Sequence, residues 1–166
     1  MTRYAVDPDR SEVTVYASSS LHGITGHADG LRGWVDVDGT TITGARIELD
    51  AERLAWGNPL LDRETRRRID ADRHPTIVGA MTAADSNTNG SMDLSGTITF
   101  HGVEREVRGT VTITSTDPDG DADADGLVIE GEQTFDVRDW DLEPPRLLML
   151  KVDPDIRVAI RVHVVR

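Results

Sequence analysis

The chain of 166 residues contains no cysteine, only one lysine and few aromatic residues. Without cysteine it has neither a disulfide framework nor a thiol nucleophile, and its redox compartment stays open. Its 18 Lys and Arg residues face 30 Asp and Glu residues, which gives a formal net charge of −12. An acidic chain lacks the basic surface that contacts to phosphates or anionic lipids require. We therefore expect no nucleic-acid partner and no attraction to a membrane surface.

Long apolar runs are missing as well. The longest stretch of large apolar residues is 147–150, far short of the roughly 20 residues that cross a bilayer as a helix. Residues 1–13 lack the apolar core of a secretory signal. We therefore expect a cytoplasmic protein without stable membrane insertion.

Alternation of apolar and polar residues is the main pattern in the chain. A period of two gives a strand one apolar face and one polar face. Eight short segments show this pattern: 13–17, 31–37, 47–51, 77–81, 92–100, 107–113, 127–135 and 156–164.

Glycine takes a place on the apolar side in five of these segments, at Gly33, Gly79, Gly96, Gly109 and Gly131. A glycine there either bends the strand or leaves space where a core side chain would lie. Its recurrence in the same register favours an internal cavity.

Turn sequences such as Asp38-Gly39 and Asn89-Gly90 separate the strands, which predicts antiparallel neighbours in a meander. A single apolar sheet face needs a cover, and closing eight strands into a barrel supplies one. We predict one all-β domain over residues 1–166. A single accessory helix near 59–70 begins at the N-cap Asn58, followed by Pro59 at the first helical position.

Candidate chemical sites are weak. Asp121, Asp123, Asp125 and Glu132 have the spacing of a calcium loop, but the flanking segments are strand-like and favour a solvated hairpin.

The basic run 63–74 has two explanations: i, i+4 ion pairs on a helix, or binding of an anion at the barrel mouth. The glycine-rich segment 22–30 is read as a flexible lip with His22 as a polar contact. We expect no metal, no cofactor and no catalytic residues.

The three tryptophans also have two explanations. Trp34, Trp56 and Trp140 either pack beneath the helix and loops or line the barrel mouth.

Five blocks of the chain resemble the YceI-like, polyisoprenoid-binding family. They are VDPDRSEV at 6–13, SSLHGITG at 19–26, GNPLLDRETRRRIDADRHPTI at 57–77, LSGTITFHGVERE at 94–106 and FDVRDWDL at 135–142. The resemblance implies an all-β, eight-stranded, antiparallel lipocalin-like barrel with an accessory helix. It also implies a ligand such as an isoprenoid or another long-chain lipid.

The apolar register and the resemblance together predict a non-catalytic lipid carrier. The expected ligand-lining residues are Leu31, Val35, Leu49, Ile77, Met81, Leu94, Ile98, Val111, Ile129, Phe135, Val158 and Ile160. The expected headgroup contacts are His22, Asp62 and Arg63. Two alternatives stay open, a packed barrel that serves as a structural or protein-interaction module and an enzyme. Formation of a homodimer is also left open by the residues.

Overall fold

The computed structural model describes residues 1–115, 126–144, 146–147 and 150–166, and it consists mostly of strands. The strands are β1 (Thr2–Val6), β2 (Glu12–Ser19), β3 (Gly23–Ala28), β4 (Arg32–Asp38), β5 (Thr41–Asp50), β6 (Thr76–Ser86), β7 (Ser91–Phe100), β8 (Val103–Ser115), β9 (Gly126–Asp136), β10 (Arg146–Leu147) and β11 (Leu150–Val165). The helices are α1 (Pro59–Arg68) and two short 3-10 turns, η1 (Ala51–Arg53) and η2 (Val137–Trp140). None of the helices in the described part of the chain is long and apolar enough to cross a membrane.

Eight antiparallel strands close into a ring, which confirms the predicted barrel. The order around the ring is β1-β4-β5-β6-β7-β8-β9-β11, and β11 returns to β1. The closing contact is short, with Ala5 opposite Val165 and Val6 opposite Val164. Closure removes the exposed edges that an open sheet would present.

The β2–β3 hairpin departs from the predicted meander. β2 pairs with the first part of β11, while β1 pairs with its last residues, so the two strands share one edge of β11. This sharing is possible because β11 has 16 residues and β1 only 5. The predicted strand at 13–17 is therefore β2, and β1 completes the ring in its place.

In the segment 22–30, where the sequence suggests a flexible lip, the structure has a paired strand. It contains β3, which is hydrogen-bonded along β2 from Val13–Ala28 to Ser18–Gly23. Gly26 permits the close approach of Trp56, since an added Cβ would lie 2.9 Å from its ring.

Different side chains fill the two ends of the barrel. At one end, here called the packed end, large side chains meet and are fully buried, including Tyr4, Val37, Ile42, Met92 and Val164. At the other end, here called the helical end, a second apolar cluster joins η1, the residues after α1, and η2. Its buried members are Ala51, Ile69, Ala71, Val137 and Leu142. Both ends of the barrel are thus covered by apolar side chains.

The helix begins where the sequence predicts it. The Asn58 side chain accepts hydrogen bonds from the backbone N–H groups of Leu60 and Leu61, and Pro59 occupies the first position. The indole N–H of Trp56 donates to the Thr65 hydroxyl over 2.9 Å, which fixes the buried face of α1. The helix ends at Arg68, two residues before the predicted end, and Asp70 adopts a left-handed φ of 53°.

Candidate ligand-binding site in the barrel

A cavity of about 380 Å³ lies inside the ring between the two covered ends. Inward side chains of the strands line it, and those of Met81, Leu94 and Ile98 are only half-buried because empty space lies beside them. The volume falls within the roughly 300 to 1,000 Å³ of small-molecule sites in proteins. The barrel is therefore not filled by its own side chains.

The cavity brings together ten of the twelve residues expected to line it. They are Leu31, Leu49, Ile77, Met81, Leu94, Ile98, Val111, Phe135, Val158 and Ile160. Val35 and Ile129 point into the barrel but lie outside the cavity lining, in the packed core. Their neighbours are large: Val35 lies opposite Tyr4, and Ile129 lies between Ile113 and Val162, so no space remains beside them.

Two of the five inward glycines contribute open space. A Cβ added at Gly79 would meet no atom within 4 Å, and one added at Gly109 would meet only the Gln133 side chain, at 3.9 Å or more. Both residues line the cavity. At these positions the absence of a side chain enlarges the chamber.

The other three glycines permit close approach of neighbouring backbone. A Cβ would lie 2.0 Å from the Arg46 carbonyl oxygen at Gly33, where φ is +140°, and 2.2 Å from the Ala80 carbonyl oxygen at Gly96. At Gly131 the Thr110 carbonyl oxygen would be 2.9 Å away. The five inward glycines therefore serve two purposes: two leave space in the cavity, and three allow close contact with neighbouring backbone.

The pairing between β8 and β9 stops partway along both strands. Their ladder ends at Thr110 opposite Glu132, although β8 begins at Val103 and β9 continues to Asp136. Residues 103–109 pair only with β7, and residues 133–136 pair only with β11. We call the gap between these two segments the window.

The expected headgroup residues lie outside the cavity lining. A ring nitrogen of His22 lies 2.8 Å from the Gly23 carbonyl oxygen, and the Asp62 carboxylate accepts from the Trp56 backbone N–H over 2.6 Å. Arg63 lines a separate surface groove with Glu52 and Arg66. The structure thus does not bring these three residues together.

The tryptophans occupy three different environments. Trp56 packs beneath α1, as the sequence suggested. Trp140 closes the helical end, where its indole N–H donates to the Ile98 carbonyl oxygen over 3.0 Å and its ring contacts Phe100 and Phe135 edge-on. Trp34 follows neither expectation. It lies on the outer face of β4 beneath the Arg3 guanidinium, 4.0 Å from the ring centroid, because it stands in the polar register of its strand.

Metal-binding geometry is absent from the part of the chain that the structure describes, where no three His, Asp or Glu side chains cluster. Asp121, Asp123 and Asp125 of the calcium-loop pattern lie outside the described residues. Glu132 belongs to β9, and its carboxylate forms an ion pair with Arg157 at 2.9 Å.

The fold and the cavity define the class of protein: a closed antiparallel barrel with an apolar internal chamber, an architecture that can hold one small ligand. The chain belongs to the YceI-like family, whose domain matches residues 4–164. None of the curated proteins matches the chain in sequence.

Solved structures with the same fold share little sequence with it. BcnA of Burkholderia cenocepacia superposes with a TM-score of 0.81 at 13% identity, covering 95% of this chain and 98% of BcnA. A polyisoprenoid-binding domain of Saccharophagus degradans, implicated in plant cell wall breakdown, gives 0.73 at 14% identity, with coverages of 98% and 97%. The YceI protein of Campylobacter jejuni gives 0.72 at 14% identity, with coverages of 86% and 85%.

Proposed function

We propose that this protein is a non-catalytic carrier that holds an isoprenoid or similar long-chain lipid in its barrel. The observation that carries the proposal is the open apolar chamber, which the bare positions Gly79 and Gly109 enlarge. Membership of the YceI-like family supports it, as does the polyisoprenoid-binding domain among the structures of the same fold.

The physical basis is transfer of hydrocarbon out of water. Each buried CH₂ group contributes about 0.8 kcal/mol, so a lipid tail gains several kcal/mol by entering an apolar chamber. Ile98, Val158 and their neighbours provide such a lining without any bond-making chemistry. Binding alone therefore keeps the lipid soluble.

Organic extraction of the purified protein tests the proposal, with mass spectrometry of the extract. We expect a long-chain lipid at close to one molecule per chain. A parallel assay measures displacement of the neutral dye N-phenylnaphthylamine by alkyl chains. An extract without lipid, together with no binding of the dye or of any alkyl chain, would contradict the proposal and favour a structural or interaction module.

A further inference from the structure

We propose that the carrier's ligand has an uncharged, hydrogen-bonding head, and that Gln133 holds this head at the window between β8 and β9. The inference rests on the proposed lipid-binding function. It adds a route of entry, a polar contact residue and the chemical class of the ligand head.

The window is the first element of the argument, because both ends of the barrel are covered. Tyr4, Met92 and their neighbours fill the packed end, while Trp140 and Val137 stand over the cavity at the helical end. In the window, by contrast, the ladder between two strands of the ring stops partway along them. A ligand that enters through the wall at this place has no strand-to-strand hydrogen bond to break.

A second divergence in the ring shows how such a gap is sealed. The ladder between β5 and β6 ends at Arg46 opposite Ala80, so that the start of β5 and the end of β6 pair only with their other neighbours, β4 and β7. Ile42 and Met92 fill that region and are almost completely buried, and the Ile42 backbone N–H donates to the Met92 sulfur over 3.4 Å. At the base of the window Gly109 has no side chain, and a Cβ added there would meet only the Gln133 side chain, at 3.9 Å or more.

Gln133 is a polar residue in the apolar register of β9. It lies opposite Val158 on β11, and both residues line the cavity. Its side chain is exposed, and among the described residues its amide has no hydrogen-bond partner. A side-chain amide in the lining of an apolar cavity can donate hydrogen bonds to a bound molecule and accept them from it.

The charges around the window favour an uncharged head. Glu132 is paired with Arg157, and Asp136 with Arg138. The remaining charges on the window segments are two arginines and two glutamates of β8, which balance. They are Glu104, Arg105, Glu106 and Arg108. A charged head would meet no excess of opposite charge at the window, whereas a hydroxyl, carbonyl or amide head can form hydrogen bonds with the Gln133 amide.

The first test compares ligands that share one tail and differ in the head. The assay measures displacement of N-phenylnaphthylamine by decane, decanol, decanamide and decanoic acid. It is run on the wild-type protein, on Gln133→Leu and on the control Thr134→Val. Thr134 is an exposed residue that follows Gln133 in β9. In Gln133→Leu the affinity for decanol and decanamide relative to decane should fall between about twofold and tenfold, the strength of one neutral hydrogen bond. Thr134→Val should keep the wild-type ratio.

Two results would overturn the inference. One is an unchanged decanol-to-decane ratio in Gln133→Leu. The other is a preference for decanoic acid that disappears in Arg108→Gln, which would assign an anionic head to the arginine. In both cases dye and decane still bind, so the carrier function stands. Failure of every probe to bind wild-type protein would instead remove the proposed function itself.

A disulfide tests the entry route independently. A Cβ at Gly109 would lie 3.9 Å from that of Gln133, within the range of about 3.5 to 4.5 Å that disulfides adopt, and the chain has no other cysteine. In the Gly109→Cys/Gln133→Cys double variant, oxidation should tie the strand edges together and slow dye association, and reduction should restore the rate. Equal rates in the two states of a folded variant would contradict entry between Gly109 and Gln133.

Discussion

Gly79 and Gly96 stand in the same register of neighbouring strands but in different surroundings. An added Cβ meets nothing within 4 Å at Gly79, whereas at Gly96 it would lie 2.2 Å from the Ala80 carbonyl oxygen. A backbone oxygen cannot rotate away as the tip of a side chain can. The two glycines therefore provide a matched pair, in which one substitution fills the chamber and the other distorts its wall.

We expect Gly79→Leu to fold and to lose dye and lipid binding by more than tenfold, because its side chain occupies the cavity. Gly96→Ala should instead lower the free energy of unfolding by about 1 to 3 kcal/mol through overpacking. Urea unfolding and dye titration of both variants measure the two effects. Unimpaired binding by a folded Gly79→Leu variant would show that the ligand does not use this part of the chamber.

His163 is the other residue whose surroundings yield a prediction. Its Nδ1 atom is buried without a hydrogen-bond partner among the described residues. Burial holds the pKa of His163 below its usual value, and the positive charges of Arg10 and Arg161 add to this, while Asp7 and Glu130 oppose it. A lowered pKa in the folded state means that folding disfavours the protonated ring.

The stabilising contribution of neutral His163 is complete above the unfolded pKa of about 6.5, and it is lost as the pH falls through the lower folded value. We expect the Tm to decrease as the pH drops from about 7 toward 5. In His163→Leu this decrease should be smaller. Thermal melts over that pH range measure it, and identical slopes for the two proteins would contradict the expectation.

Among the elements, the long strands and the helix could be predicted from sequence, while the short strands could not. The alternating segments correspond to β2, β4–β9 and β11, and Asn58-Pro59 marked the start of α1. β1 has too few residues for a periodic signal, and β3 is rich in glycine. β3 forms a local hairpin with β2, and it also packs against Trp56, a residue that is distant in sequence.

The cavity lining could be predicted for the same reason as the strands, since alternation fixes which residues point inward. The window could not. Its position depends on where the ladder between β8 and β9 stops, and that is set by the paths of both strands through the whole ring. Gln133 interrupts an apolar register, and this is the signal in the sequence for the polar contact proposed above.

The cap of α1 gives a prediction at the scale of the element. Asn58→Ala removes the side-chain acceptor of two backbone N–H groups and should cost about 1 kcal/mol of stability. Asn58→Asp keeps an acceptor at the same place and should stay close to wild type. Urea unfolding compares the variants, and equal losses in both would mean that the amide acts through another contact.

At the scale of the whole molecule, ion pairs and hydrogen bonds hold several carboxylates in place. The Arg3 guanidinium, which bonds to Asp36 through two nitrogen atoms, holds the pKa of that carboxyl below its usual value. Hydrogen bonds from arginines do the same to the pKa of Glu64 and of Asp136. Asp36 lies on β4, Glu64 on α1 and Asp136 at the end of β9, so acid protonates carboxylates in separate parts of the molecule.

A group with a depressed folded pKa stabilises the protein above its unfolded pKa of about 4, and this contribution is lost as the pH falls through the folded value. We expect the urea midpoint to fall steeply below about pH 4. Asp36→Asn should show a shallower fall than wild type. Asp38→Asn, which removes a carboxylate without an ion pair among the described residues, serves as the control. A control as shallow as Asp36→Asn would contradict the assignment.

The seam that closes the ring joins the first strand to the last, with Ala5 beside Val165. Both strands reach the packed end there, since Thr2 lies opposite Val37 and Val164 lies opposite Leu127. The window lies toward the opposite end of the barrel. A tether attached through either terminus would therefore hold the barrel with the window directed away from the support.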